Sequence, residues 1–117
     1  MKSSLGILSL VLALTITSLA GEIRKGATME VKANLIWFQE VKDLTRWQQL
    51  KKSGNSNALT DYQEKLLSNR DAWQFTNPLT VKVVSYDAAK HQVKVEMETA
   101  GRMQGTTWFL DSDALAR

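Results

Sequence analysis

The hydrophobic and polar positions of this chain change their period twice, and each change marks a different kind of element. Residues 27–38 alternate, so that every second side chain from Met29 to Trp37 is apolar. A period of two residues predicts a strand with one buried face. Ile36 and Phe38 break the alternation at the end of this stretch. Coverage of both faces, a bulge or a closely packed neighbouring helix would each explain the break.

The next stretch has the period of a helix. Its apolar positions are Leu44, Trp47 and Leu50. Side chains three residues apart share one helical face, so we expect a helix that Asp43 caps and that Gly54 ends. A second helix is predicted at about 58–69. Two short helices with one apolar face each are not stable alone, so this insertion, at about 43–70, must pack on the strands.

The last stretch returns to a period of two. Residues 79–83 and 93–97 alternate on either side of a polar turn at 87–90, which predicts an antiparallel hairpin. Residues 106–110 predict a third strand, and residues 111–115 suit a closing helical turn capped by Asp or Ser. The whole order predicts a mainly β fold with a helical insertion, in the α+β class.

Two segments resemble a known fold. Lys25-Gly26-Ala27 leads into the first strand, and Gly101–Leu110 contains a Gly-x-x-Trp-hydrophobic element just before the final turn. Together they resemble the Src-homology-3-like barrels of bacterial envelope modules. The resemblance covers about residues 25–38 and 76–115 and implies a small five-stranded barrel or meander. It implies that the αα-hairpin occupies the first long loop, beside or over the groove where such barrels commonly bind peptides. It concerns the fold and assigns no function.

The N-terminus predicts export. After a short start with Lys2, Leu5–Ala20 runs for 16 residues without a charged side chain, and Ser18-Leu19-Ala20 places small residues before Gly21. This is typical of a secretory signal peptide cleaved after Ala20. An uncleaved anchor is the alternative, but such a helix spans only about 24 Å of a hydrocarbon core of about 30 Å. We therefore expect a signal peptide at 1–20, a single domain at 21–117 and a periplasmic or secreted protein without a transmembrane segment.

The amino-acid composition excludes several kinds of functional site. The 117 residues include 15 Lys and Arg, 12 Asp and Glu and no cysteine, which excludes disulfides, a cysteine zinc site and a thiol nucleophile. Without residues 1–20 the net charge falls to +2, since Lys2 is removed. That excess is too small to predict nucleic-acid binding. Stability must come from packing alone.

A few side chains could carry catalysis or bind a metal. They are Ser85, Asp87, His91, Glu96, Glu98, Asp111 and Asp113. His91 is the only histidine, and it flanks a predicted surface turn without a nucleophile elbow. The two glutamates share a solvated strand face, and the last two aspartates lack the rest of a calcium loop. We predict no catalytic residue, no metal and no cofactor.

The aromatic side chains are compatible with a ligand-binding surface as well as with a core. Trp37 and Trp47 are expected in the core. Trp108 and Phe109 are adjacent on one strand, so they point to opposite faces, and one of them meets either the helical pair or solvent. An exposed aromatic beside Arg102 and Trp73 would form a shallow recognition groove. The candidate ligand-binding residues are Trp73, Trp108, Phe109 and Arg102.

These observations favour an exported, non-catalytic binding or adaptor module of the cell envelope that recognises a peptide, glycan or protein. The first alternative is a structural or assembly partner that pairs with another chain through an exposed strand edge. A small hydrolase is the second alternative. The oligomeric state is left open.

Overall fold

A computed structural model describes residues 22–117. The predicted signal peptide, residues 1–20, and its cleavage after Ala20 lie outside the described residues. The elements in chain order are β1 (Thr28–Val31), β2 (Ile36–Phe38), α1 (Val41–Ser53), α2 (Ser56–Ser68), β3 (Ala72–Gln74), β4 (Leu79–Asp87), β5 (Gln92–Met97), β6 (Thr107–Asp111) and a 3-10 turn (Ser112–Ala114). Within residues 22–117, no helix combines the length and the apolar character that crossing a membrane requires.

The strands form one antiparallel sheet in the order β1-β4-β5-β6-β2-β3, and the two helices pack against it. The protein is therefore a mixed α+β fold with an αα-hairpin. Six strands are present where the sequence predicted five. The residue patterns indicated four of those five strands, and the resemblance implied the fifth. The structure adds two strands to the four, because the first predicted strand is divided and because a short strand that had no signal in the sequence is present.

The alternating stretch at 27–38 forms two strands rather than one. Asn34 lies between them with φ of 67°, in the left-handed region that asparagine tolerates better than most residues. The break allows β1 to pair with β4 and β2 to pair with β6 and β3, at opposite ends of the sheet. All three residues of β2 are buried, so both of its faces are covered, which is the first of the three explanations for the broken alternation.

β3 was not predicted. It has only three residues, in which Trp73 pairs with Trp37 of β2 and lies between buried Ala72 and exposed Gln74. A strand this short shows no measurable period. It forms because the side of β2 that faces away from β6 offers backbone groups to the chain that returns from α2.

The helices begin earlier than expected. α1 starts at Val41 with Glu40 at the N-cap, so the prediction that Asp43 caps it is wrong. Gly54, with φ of 78°, ends α1 as predicted. α2 starts at Ser56 rather than 58, because the side chain of Asn55 accepts a hydrogen bond from the backbone N–H of Ala58 and caps it.

The predicted β4–β5 hairpin is confirmed and is longer than expected. β4 reaches Asp87, whose Oδ1 accepts a hydrogen bond from the backbone N–H of Lys90 in the turn, 3.1 Å away. His91 closes the turn with φ of 53°. The closing helical turn after β6 is also confirmed: its cap is Asp111, whose Oδ1 accepts from the N–H of Asp113 at 2.9 Å.

The sheet separates two apolar clusters. The larger contains Val31, Trp37, Val81, Val83, Val93, Val95, Met97, Trp108, Leu110 and Leu115, among others. The smaller lies under the helices and contains Ile36, Phe38, Leu44, Leu66 and Ala72. Trp108 belongs to the larger cluster, and Phe109 packs against the smaller one. The prediction that these neighbours point to opposite faces is therefore confirmed.

Candidate functional site

The four candidate ligand-binding residues do not form one surface. Trp108 is only 3% exposed and lies in the larger core, with half-buried Trp73 packed against it. Phe109 is half-buried on the opposite face, and Arg102 is exposed in the turn before β6. A single groove made by these four side chains is therefore not what the fold provides.

Trp108 is instead the centre of an aromatic cluster. Its ring meets those of Trp37, Trp73 and Phe75 edge to face, with centroid distances of 6.1, 6.4 and 6.3 Å. Its Nε1 donates to Oγ1 of Thr106 at 2.8 Å, which satisfies the polar edge of the ring. Edge-to-face pairs add stability beyond the buried area. Trp73 and Phe75 thus complete the aromatic cluster around Trp108.

Phe109 meets the helical pair, which is the first of the two alternatives, helical pair or solvent, that the sequence left open. Its ring packs beside the cluster of Leu44 and Phe38, and Nζ of Lys94 lies 5.7 Å from the ring centroid. The αα-hairpin thus covers this face of the sheet. It also leaves a groove along its own border.

The groove lies where α1 passes the ends of β5 and β6. Its main cleft, about 700 Å³ in volume, is lined by Thr45, Gln48, Gln49, Lys51, Lys52, Ala89, Lys90, His91, Gln92, Asp111 and Asp113. An adjoining cleft of about 340 Å³ is lined by Lys32, Asn34, Leu35, Ile36, Phe38, Trp47, Lys51, Gln63, Gln74, Asp111, Asp113 and Ala114. The two clefts share Lys51, Asp111 and Asp113, and we call them together the α1 groove.

A chain of hydrogen bonds fixes the floor of the main cleft. Gln92 and Asp111 lie opposite each other on β5 and β6, and Gln48 reaches both from α1. The Nε2 of Gln92, which is only 8% exposed, donates to Oε1 of Gln48 at 3.1 Å. The same Nε2 donates to Oγ1 of Thr45 at 2.8 Å. The Nε2 of Gln48 donates to Oδ2 of Asp111 and to the backbone carbonyl of His91, each at 3.1 Å.

This network orients its amides before any ligand arrives. A half-buried side chain with its hydrogen bonds made has lost most of its rotamer freedom. Both carboxylate oxygens of Asp111 are also used, since Oδ1 caps the 3-10 turn. The floor is therefore polar and rigid.

The adjoining cleft has an aromatic wall. The Nε1 of Trp47 donates to Oε1 of Gln63 at 2.6 Å, which ties α1 to α2. Nζ of Lys51 lies 5.0 Å from the centroid of the Trp47 ring, within the range of a cation–π contact. Trp47 is half-buried against Phe38, so the prediction that it belongs to the core holds for one side of its ring.

The net positive charge of residues 22–117 is carried by the residues that line the α1 groove. Residues 22–117 carry 14 Lys and Arg, which are the 15 of the chain less Lys2, against 12 Asp and Glu. Four lysines and two aspartates line the groove. The remaining residues therefore balance at ten basic and ten acidic side chains, and the whole excess of +2 lies here.

One pKa is clearly perturbed, and it belongs to the helical pair. Burial is the main cause that raises the pKa of Tyr62 to about 12, and the carboxylate of Asp43 beside it contributes to the same shift. The hydroxyl of Tyr62 donates to Oδ1 of Asp43 at 3.2 Å. Asp43 therefore holds α2 against α1 instead of capping α1.

Three of the side chains considered for catalysis or metal binding, those of His91, Asp111 and Asp113, line the main cleft. His91 is exposed on its turn, and its backbone carbonyl, not its ring, joins the groove network. Glu98 is exposed and Glu96 is half-buried on β5. In the part of the chain that the structure describes, no three acidic or histidine side chains come together in a way that could hold a metal ion.

Sequence reasoning did not identify the groove. Its side chains come from α1, α2, four strands and three turns, so no local pattern unites them. One signal was present: five of the seven glutamines of the chain line the groove. Comparison of the chain with known protein families, with curated proteins and with solved structures finds no match.

Proposed function

We propose that this protein is an exported, non-catalytic binding module of the cell envelope and that it binds its ligand in the α1 groove. The observation that carries the proposal is the hydrogen-bonded floor of the groove, where Gln48 links Gln92 to Asp111. Ligand sites are concave and present a few polar groups in fixed positions. Export rests on the sequence of residues 1–20, which predicts a signal peptide.

The Src-homology-3-like barrel is part of the same proposal. After the 3-10 turn, Leu115 forms a bridge with Val31 of β1, and the N–H of Ala116 donates to the carbonyl of Glu30 at 2.8 Å. This contact supports closure, because β1 pairs with β4 on its other side. In such a barrel the last strand would follow the turn, and β2, α1, α2 and β3 would form one insertion in the first long loop.

The α1 groove is a better candidate than the tryptophans because its groups are both accessible and fixed. A ligand contact at Trp108 would require the core to open, and opening a core costs a large part of the stability of a domain. The exposed parts of Gln49, Lys52 and Lys90 need no such change. The insertion would then build the binding site in addition to covering the sheet.

Saturable binding to envelope fractions tests the proposal. The processed protein is titrated against cell-wall material and against solubilised envelope proteins, and bound protein is measured by sedimentation. Gln49→Phe places a bulky ring in the main cleft, and Gln104→Phe makes the same change at an exposed turn outside the groove. We expect saturable binding that the first variant loses and the second keeps.

Two results would refute it. One is the absence of saturable binding to any fraction, and the other is equal binding by both variants. Circular dichroism confirms that each variant is folded, and mass spectrometry of the recovered chain, with Gly21 as its first residue, tests export. Recovery of an unprocessed chain in the cytoplasm would contradict the cellular part of the proposal.

A structural or assembly role is the second candidate, and one observation favours it. β3 is at the end of the sheet and pairs with β2 only, so one of its sides is an unpaired strand edge. This edge is only three residues long and α2 lies beside it, so it offers few backbone groups for pairing with a strand of another chain. Sedimentation equilibrium separates the two candidates, since a stable oligomer that binds no envelope fraction favours assembly.

A further inference from the structure

We propose that the ligand of the α1 groove is an acidic glycan, a polysaccharide that carries carboxylate groups. This inference rests on the proposed function, because it names the ligand class of the same site. Two properties of the groove carry it: an unusual density of side-chain amides and the concentration of the net positive charge.

The amides match a ligand rich in hydroxyls. The groove contains Gln48, Gln49, Gln63, Gln74, Gln92 and Asn34. A primary amide offers two N–H donors and a carbonyl acceptor in one plane, and a sugar hydroxyl is both a donor and an acceptor. Neighbouring hydroxyls on a pyranose ring can therefore be matched pairwise by such amides. Gln49 is exposed and free to turn towards a ligand. The Nε2 of Gln48 already donates to Asp111 and to the carbonyl of His91, so this amide shapes the floor of the groove and its N–H groups are not free for a ligand.

The lysines match negative charge on the same ligand. Lys51, Lys52 and Lys90 lie on the rim of the main cleft, and Lys32 lines the adjoining cleft. The Nζ of Lys32 donates to the backbone carbonyl of Asp113 at 3.1 Å, which fixes the place of this charge. An ammonium and a carboxylate form charge-assisted hydrogen bonds, which are shorter and stronger than neutral ones.

The two aspartates in the groove leave this attraction in place. Both oxygens of Asp111 accept hydrogen bonds from Gln48 and from the N–H of Asp113. The carboxylate of Asp113 lies 3.9 Å from the guanidinium of Arg117. The charge of Asp111 therefore faces donors of the protein, whereas the Asp113 side chain is 80% exposed and lowers the net charge of the groove. The four exposed lysines still leave that net charge at +2.

An acidic peptide fits the groove less well. An extended peptide is normally bound by a strand edge that continues the ladder of backbone hydrogen bonds. The walls of the main cleft are a helix face, a turn and the ends of β5 and β6, and β5 and β6 are already paired with each other. The groups that face the cleft are side chains, which favours a ligand whose own side groups are polar.

Three probes of similar length test the proposal by isothermal calorimetry. They are the hexamer of galacturonic acid, its fully methyl-esterified form and a hexaglutamate peptide. The ester keeps the sugar ring and removes the charge, and the peptide keeps the charge and removes the sugar. We expect the acid hexamer to bind roughly tenfold or more tightly than either control, since one charge-assisted hydrogen bond can account for that ratio. The advantage should shrink as salt is raised.

Lysine variants locate the interaction. Lys51→Gln combined with Lys90→Gln should lower the affinity for the acid hexamer at least about tenfold and leave the ester nearly unaffected, because only the charged probe uses these ammonium groups. Lys82→Gln, at an exposed position on β4 outside the groove, is the matched control and should change neither. All three changes are at exposed side chains, so folding should be retained.

The outcomes separate the ligand class from the proposed function. Equal affinity for acid and ester, tighter binding of the peptide, or an unchanged affinity in the double lysine variant each overturns the inference while the binding module stands. Saturable binding to envelope fractions without binding to any of the three probes also overturns it. If neither fractions nor probes bind, the proposed function itself fails.

Discussion

Replacement of Trp108 by alanine tests the claim that this side chain holds the fold together and is not a recognition surface. Trp108 is 3% exposed and contacts three other aromatic rings edge to face. A buried tryptophan removes about 150–250 Å² from water, which corresponds to about 4–6 kcal/mol at about 25 cal/mol per Å². Measured losses for Trp→Ala in cores are about 3–5 kcal/mol, so we expect a loss of about 4 kcal/mol.

Equilibrium urea unfolding, followed by tryptophan fluorescence and circular dichroism, measures this loss. A domain of this size has a free energy of unfolding of about 5–15 kcal/mol, so the variant keeps between about one fifth and about three quarters of it. With a denaturant slope of about 2 kcal/mol per molar urea, the midpoint should fall by about 2 M. If the Trp108→Ala variant is unfolded even without urea, the loss of stability is larger than expected and has the expected sign.

Trp47→Ala is the matched control, since it removes the same side chain from a half-buried position. Trp47→Ala should lower the free energy of unfolding by less, about 2 kcal/mol. This figure includes the loss of the hydrogen bond from Nε1 of Trp47 to Gln63. The reasoning is refuted if Trp108→Ala loses less than about 1 kcal/mol, or if it loses less than Trp47→Ala. Either result would mean that the aromatic cluster around Trp108 does not carry the core.

Three further predictions follow from the helical pair and the groove floor. Arg70 follows the C-cap of α2 with φ of 61°, a conformation in which glycine is favoured. Arg70→Gly should therefore raise the free energy of unfolding by about 0.5–1 kcal/mol and the melting temperature by roughly 2–8 °C, and a lower melting temperature would contradict this. The pKa of Tyr62 is raised to about 12, so the folded state holds this proton more tightly than the unfolded state, whose value is about 10. The stability from this shift is therefore complete below pH 10 and is lost as the pH rises towards 12. Asp43→Asn should lower the pKa of Tyr62 in the absorbance titration at alkaline pH, without restoring its ordinary value because burial is the larger cause. Alanine variants of Gln48 and Gln92 should couple by about 0.5–1.5 kcal/mol in a double-mutant cycle of unfolding free energies, and strict additivity would show that their hydrogen bond contributes nothing.

The sequence determined the parts of this protein that depend on neighbouring residues. The hairpin of β4 and β5 was predictable because alternating side chains on both sides of a polar turn can bury one face in only one register. The αα-hairpin was predictable because the apolar positions from Leu44 onwards keep a helical spacing and Gly54 ends the first helix. The opposite directions of Trp108 and Phe109 followed from strand geometry alone.

The tertiary structure decided where distant segments meet. The break at Asn34 and the short strand β3 depend on pairing between residues far apart in the chain, and a run of three residues carries no period from which to predict it. The burial of Trp108 and the assembly of Gln48, Gln92 and Asp111 into one floor depend on how α1 lies across the sheet. Local periodicity reports which face of an element is apolar, and it does not report which other element covers that face. For this reason the glutamines and lysines were visible in the chain as composition and became a site only when the sheet and helices were brought together.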